Sequence, residues 1–296
     1  MTLIAILALV LAIGVGLAWR WAPTPYRALP PGSPGEDVGV RTGSVSARPD
    51  LRGPAVAYLR GVSVVLVAGF WAGLLVTGPA VRLAMRLLAV TGGDRAQGMV
   101  TEANEVVGEI DLGGTIGLII FGGILPGLLS AAIYLLVRRW LPEGRLGGLV
   151  FGLAHLVIGA TRLDPLRPDN PDFGLVGPGW LSVLAFGLAC ILHGVAVAAF
   201  ANRFSQRHPS PAGSARSRVR AGLPLVPPAL LLIPGFVLLV PLLVGLLVAV
   251  ASARCHPIVR SLRNPATVLI GRLALGAVVV AFLPWTIIDL REILVA

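Results

Sequence analysis

Two histidines set deep in apolar sequence offer this chain its best chance of chemistry. His155 lies about nine residues into one apolar stretch, and His193 lies about nine residues before the end of the next. At 1.5 Å per helical residue, both sit on the order of 13 Å from the same boundary. Two imidazoles at matched depth on neighbouring helices are suited to ligating a b-type haem, holding a metal ion or passing protons. The plainer alternative is two separate histidines, each bonded inside a helix bundle. Cys190, one turn before His193, is placed either to join them or to act as a small packing residue.

A second constellation consists of helix breakers. Ile124-Leu125-Pro126-Gly127 interrupts one apolar stretch, and Leu232-Ile233-Pro234-Gly235, followed by Pro241, interrupts another. If the first apolar stretch is an added anchor, the remaining six form two three-helix halves of opposite topology, with the breaks in the middle helix of each. Such a 3+3 inverted repeat would line a midplane cavity with unwound backbone, as secondary transporters do. Arg272, in the last apolar stretch, then becomes a candidate for an anionic substrate, or else snorkels to the interface.

A third constellation is ionic. Glu102, Glu105 and Glu109 lie at i, i+3 and i+7, close to Asp94 and Asp111, so a helix there would present the three glutamates on one face. Arg82 and Arg86, spaced i, i+4 just beyond the preceding apolar stretch, are expected to neutralise that face. The patch reads as a cation-gathering vestibule or as a solvated loop with weak surface pairs. Connection 162–179, with Asp164, Asp169, Asp172 and many Pro and Gly, reads as a rigid lid. Its carboxylates suit either a hard cation or Asp-capped turns.

These residues must be positioned by seven apolar stretches, at roughly 2–19, 61–80, 113–137, 147–161, 179–201, 223–252 and 266–288. A bilayer-crossing helix needs about 20 mostly apolar residues. The expected fold is therefore all-α, a polytopic transmembrane helix bundle of about seven spans. With 56% hydrophobic and 13% charged residues and a mean hydropathy of +0.86, the chain has too little polar surface to clothe a soluble globule. The net charge of +10 would suggest nucleic acid in a soluble domain, but all 24 basic residues are Arg and most flank spans. Membrane orientation accounts for them, and no nucleic-acid partner is expected. The absence of Lys excludes a Walker phosphate loop and Schiff-base catalysis. No GxSxG, HExxH or intramembrane carboxylate pair supports a hydrolase. Cys190 and Cys255 form no CxxC pair, and no residue set names a cofactor.

Arginine placement gives an orientation. Arg20, Arg27, Arg41, Arg48, Arg52 and Arg60 follow the first stretch, while no basic residue precedes it, so the N-terminus is expected outside. The division is then a retained anchor at 1–20, a flexible cytoplasmic linker at 21–54 and a six-span domain at 55–296, in a bacterial cytoplasmic membrane with the C-terminus inside. A cleaved signal peptide is the competing reading of the anchor, but it lacks a basic leader and a clear cleavage site. Arg254, Arg260 and Arg263 strain the alternation, because a single crossing at 223–252 would place them outside; a re-entrant hairpin there is the alternative. Gly69-xxx-Gly73, Gly113-xxx-Gly117, Gly123-xxx-Gly127 and Gly148-xxx-Gly152 allow close helix approach. The partners expected are the lipid bilayer and, through such faces, a second copy or a membrane complex.

The chain resembles uncharacterised polytopic membrane proteins of GC-rich bacteria, most clearly over Arg82–Pro142, and the resemblance implies no activity. Three functions stay open on the residues: permease-like translocation of a small solute or ion, a structural or assembly subunit of a membrane complex, and a haem- or metal-binding redox subunit resting on His155 and His193.

Overall fold

A computed structural model describes residues 2–26, 52–207 and 265–295. The described chain is all-helical, its only strand-like feature an isolated bridge between Val100 and Val106. Proline or a capping acid marks most helix starts, as helix termini require. Helix α1 spans Thr2–Trp21 and stops before Pro23 and Pro25; α2 spans Arg52–Ala72 and α3 spans Gly78–Thr91. Next come α4, Leu112–Leu118, capped by Asp111 Oδ1 accepting from the Gly114 amide at 2.7 Å, and α5, Leu125–Val137. Then follow α6, Arg145–His155, α7, Gly179–Arg207, and α8, Pro265–Val295.

Three of these helices are continued through wide π-turns. Gly73–Thr77 joins α2 to α3, Ile119–Ile124 joins α4 to α5, and Leu156–Ala160 extends α6. The first two show the wide ring directly, with the Gly78 amide bonding to the Gly73 carbonyl and the Leu125 amide to the Ile120 carbonyl. The expected break at Pro126-Gly127 is therefore corrected: the backbone stays helical at Ile124 and Leu125, and Pro126 occupies the first turn of α5. Pro126 has no amide to donate, and the helix carries it immediately after the wide turn Ile119–Ile124. Pro234, Gly235 and Pro241 lie outside the described residues, as do the 223–252 stretch and most of the 21–54 linker.

Among the described residues five helices are long and apolar enough to cross a membrane: Thr2–Trp21, Arg60–Thr91, Leu112–Val137, Gly179–Gln206 and Pro265–Val295; Arg145–Ala160 is a shorter apolar helix. Helix α8 is nearly all exposed, showing Leu269, Ile270, Leu273 and Val280, and α1 shows Ile6, Leu9 and Ile13. Apolar surface of this extent is untenable in water and natural against lipid.

The bundle has two chemically distinct ends. At the arginine end, Arg138 stacks 3.8 Å from the Tyr26 ring centroid, Arg145 4.3 Å from Trp19, and Arg60 Nη2 donates to the Ser205 carbonyl at 2.9 Å. Cation–π contacts of this kind hold cations beside interfacial aromatics. The opposite, loop end carries 92–111 and 161–178. Helix α8 starts at the arginine end, where Gly271 abuts Trp140, and finishes at the loop end, where Ile293 abuts Gly179. Helix α1 also starts at the loop end, so its first residues and the last residues of α8 lie on one side of the bundle.

Helices α2/α3 and α4/α5 cross at glycine. A Cβ on Gly73 would meet the Gly123 carbonyl at 2.5 Å, and Gly69 and Gly127 approach each other's carbonyls as closely. Gly152 similarly faces Ile191 and Gly194 of α7. The expected close approach is thus made by Gly69, Gly73, Gly123, Gly127, Gly148 and Gly152, while Gly117 meets nothing. Forcing a methyl against backbone in a filled interior costs about 1–3 kcal/mol. Gly73→Ala and Gly123→Ala are each expected to lower thermal stability in detergent by that order, whereas Gly16→Ala, which faces open space, leaves it unchanged; thermal unfolding of the three variants measures it.

Candidate functional site

Helix α7 carries His193 into the middle of the bundle, where it is fully buried. Its Nδ1 lies 2.6 Å from Thr77 Oγ1, at the end of the first π-turn, and its Nε2 lies 2.7 Å from Ser130 Oγ on α5. In one tautomer Thr77 donates to Nδ1 and Nε2–H donates to Ser130; in the other both directions reverse. Either satisfies the ring, as a buried polar group requires. The π-turn contributes directly, since its extra residue rotates α3 relative to α2 and turns Thr77 toward α7.

His155, the last residue of α6, lies beside this network, its ring centroid 5.2 Å from that of His193. It is half-buried and, among the described residues, makes no hydrogen bond. The structure therefore brings the two imidazoles together at one depth. It also removes the main support for a shared iron: both nitrogens of His193 are engaged by hydroxyls, so no lone pair is directed at a ligand. No cluster of three His, Cys, Asp or Glu suited to a metal occurs among the described residues.

Above the histidines opens a cavity of about 360 Å³, within the range of ligand pockets. It reaches from His155, His193 and Thr77 up to the loop end, where Glu102, Glu105, Glu109 and Asp172 line its mouth. Cys190 and Pro126 also contribute to its wall. Toward the arginine end the bundle is filled. Phe151 packs against His155 at 6.4 Å between centroids and against Tyr134 at 5.3 Å, and the Tyr134 hydroxyl donates to Asn202 Oδ1 at 3.2 Å.

The mouth differs from expectation. Residues 101–111 form turns, with Asn104 at φ 58° and Gly98 and Gly108 also at positive φ, which a helix does not tolerate. Glu102, Glu105 and Glu109 therefore share no helical face. Glu102 instead pairs with Arg167 at 2.7 Å through both carboxylate oxygens, and its amide donates to Asp172 Oδ1 at 2.9 Å. This ties 101–111 to the 161–178 connection. The hydrogen bond to Glu102, with Asp169 nearby, raises the Arg167 pKa above the ordinary guanidinium value. Burial pushes the Asp164 carboxyl up, and Arg167 opposes it. Asp111 serves as the α4 cap beside Glu105, since a Cβ on Gly114 would touch both carboxylates.

Arg82 and Arg86 were expected beyond the second span, but α3 runs on to Thr91 and both lie within it, facing the cavity. Neither pairs with a glutamate among the described residues. Arg86 Nη1 donates to the Gly108 carbonyl at 3.1 Å. Arg272 is exposed on α8 near the level of Trp140 and takes no part in the cavity wall, which removes its expected role at a shared site. The sequence reading did not single out Thr77, Ser130 or Asp289. Asp289, buried on α8, forms an ion pair with Arg162 at 2.9 Å, and Thr286 Oγ1 donates to the Val157 carbonyl of the third π-turn at 2.7 Å. Small hydroxyl residues at the depth of His193 were the signal available for the first two.

Compared with known proteins, the chain matches no family model, no curated protein and no solved structure, so the functional reading rests on its own geometry. Removing the His193 ring takes the side-chain partner from Ser130 and leaves Thr77 only its 3.4 Å bond to the Ala72 carbonyl, at about 1–3 kcal/mol for an unsatisfied buried group. His193→Ala is expected to lower stability by that order and His155→Ala to leave it nearly unchanged, as measured by thermal unfolding of the detergent-purified variants.

Proposed function

We propose that this chain is a permease-like membrane protein that takes a small solute from the loop end and passes it across the bilayer. The observation that supports it most is the one-sided cavity, open between the acidic loops and ended at half depth by His155 and His193 above Phe151 and Tyr134. A solute site reached from one face, with a packed barrier beneath, is the geometry of one state of an alternating-access carrier. π-Turns in the three helices around the site add to this, since such turns concentrate where helices serve function and have to adjust. In this reading the protein sits in a bacterial cytoplasmic membrane, loop end and N-terminus outside, with the arginine end in the cytoplasm as the positive-inside bias favours. The redox alternative loses its support with the engagement of His193. The assembly-subunit alternative draws on the apolar faces of α1 and α8, which lipid covers equally well.

Cysteine accessibility tests the proposal. In a Cys190→Ser, Cys255→Ser background, Ala189→Cys places a thiol in the cavity wall one turn before His193, and Ala103→Cys places one at its mouth. With a membrane-impermeant thiol reagent applied to right-side-out and inside-out vesicles, Ala103→Cys is expected to react from one face only and Ala189→Cys from both. Reaction of Ala189→Cys from the loop face alone would reduce the site to a receptor-like pocket, and reaction from neither face would make it a sealed packing void; either result overturns translocation.

A further inference from the structure

The charges that line the cavity divide into groups with partners and groups without. Glu102 is held by Arg167, and Asp172 accepts the Glu102 amide. Glu105 lies with Asp111 over the amide end of α4, where the helix dipole favours negative charge. Glu109 and Asp164 are exposed at the rim. The acids are thus engaged in building the mouth or face water. The bases are not. Among the described residues Arg82 has neither an ion pair nor a hydrogen bond, and Arg86 gives one donor to the Gly108 carbonyl. The two lie one turn apart on the cavity side of α3, Arg82 the deeper.

A half-buried guanidinium without an anion is costly within an apolar helix bundle, and such a residue marks a ligand path. Its five N–H donors match a carboxylate or phosphate in charge and fork geometry, bind a neutral alcohol more weakly, and repel a cation. Apolar side chains make up much of the same wall, among them Val81 on the floor side of Arg82, with Leu118, Phe121 and Phe186. The polar floor at Thr77 lies five residues from Arg82 along α3, roughly 7.5 Å at the helical rise.

We propose that the cavity binds an amphipathic anion, a single carboxylate or phosphate head paired with Arg82 and assisted by Arg86, with its apolar body directed toward the His155 and His193 floor. This rests on the reading of the cavity as an open solute site and adds the class of solute. The head can belong to a free organic acid or to an acidic lipid, and the test separates the two.

The Ala189→Cys protein, in nanodiscs of phosphatidylcholine, is labelled with a small neutral thiol reagent alone, with 4-phenylbutyrate, with its neutral amide, and with 4-phenylbutylamine. A parallel set uses nanodiscs containing phosphatidylglycerol. Slowed labelling by 4-phenylbutyrate but not by the amide or amine is the expected result for a free acid. Slowed labelling in phosphatidylglycerol without added ligand is the expected result for a lipid head. Arg82→Gln is expected to weaken either protection about tenfold or more, the loss typical of a charge-assisted hydrogen bond, while Arg82→Lys restores part of it. Equal protection by acid, amide and amine overturns the anion assignment. So does labelling that neither the acid nor phosphatidylglycerol slows, which leaves the cavity itself intact. A thiol that never reacts overturns the open-site reading beneath it.

Discussion

The glycine crossing between α2/α3 and α4/α5 is the contact on which the rest of the structure depends. Gly73 against Gly123 and Gly69 against Gly127 bring two backbones to a separation that any side chain would prevent. Small residues supply most of the association between helices in lipid, where tail and side chain are equally apolar and no hydrophobic force drives them together. Both partners at the Gly73–Gly123 contact are in π-turns. Close approach there sets Thr77 and Ser130 on opposite sides of His193, and α3 continues upward with Arg82 and Arg86 toward the cavity. The hydrogen-bond network, the floor and the charged wall thus follow from one crossing.

The two ends of the bundle use charge in different ways. At the arginine end, cations rest on aromatic rings and backbone carbonyls, as Arg138 does on Tyr26 and Arg60 on Ser205, an arrangement suited to a headgroup layer. At the loop end, carboxylates and one arginine fasten two connections together through Glu102, Arg167 and Asp172. That fastening is exposed and contributes modestly to stability. Its larger effect is geometric, because it keeps the acids at the rim occupied and the bases on α3 available.

The apolar helices were legible in the sequence because apolar length alone identifies them; α4/α5 and α6 fall near the expected limits, while α7 and α8 start where expected and run on to Arg207 and Val295. Hydropathy stopped the second span at residue 80, although α3 continues to Thr91; Arg82 and Arg86 lowered the local average while facing a cavity and not the lipid. The meeting of His155 and His193 followed from counting residues, since depth along a helix is a linear quantity. The glutamate spacing misled because periodicity carries no information about positive-φ residues such as Asn104. Pro126-Gly127 suggested a break for a similar reason: a π-turn has no strong residue signature, and proline just after it reads like a kink. Thr77 and Ser130 were hidden because hydroxyls are ordinary in apolar helices until a buried ring needs them.

Each π-turn also carries a phase. One residue beyond the α-helical count turns everything after it by about 100°, so the face that α2 packs inward is not the face that α3 packs inward. A regular α-helix of the same length through Gly73–Thr77 would turn Arg82 and Arg86 by that angle, away from the cavity, without altering either side chain. The chemistry of the wall is therefore encoded as much by the wide backbone pairing through Gly73–Thr77 as by the identity of the residues that line it.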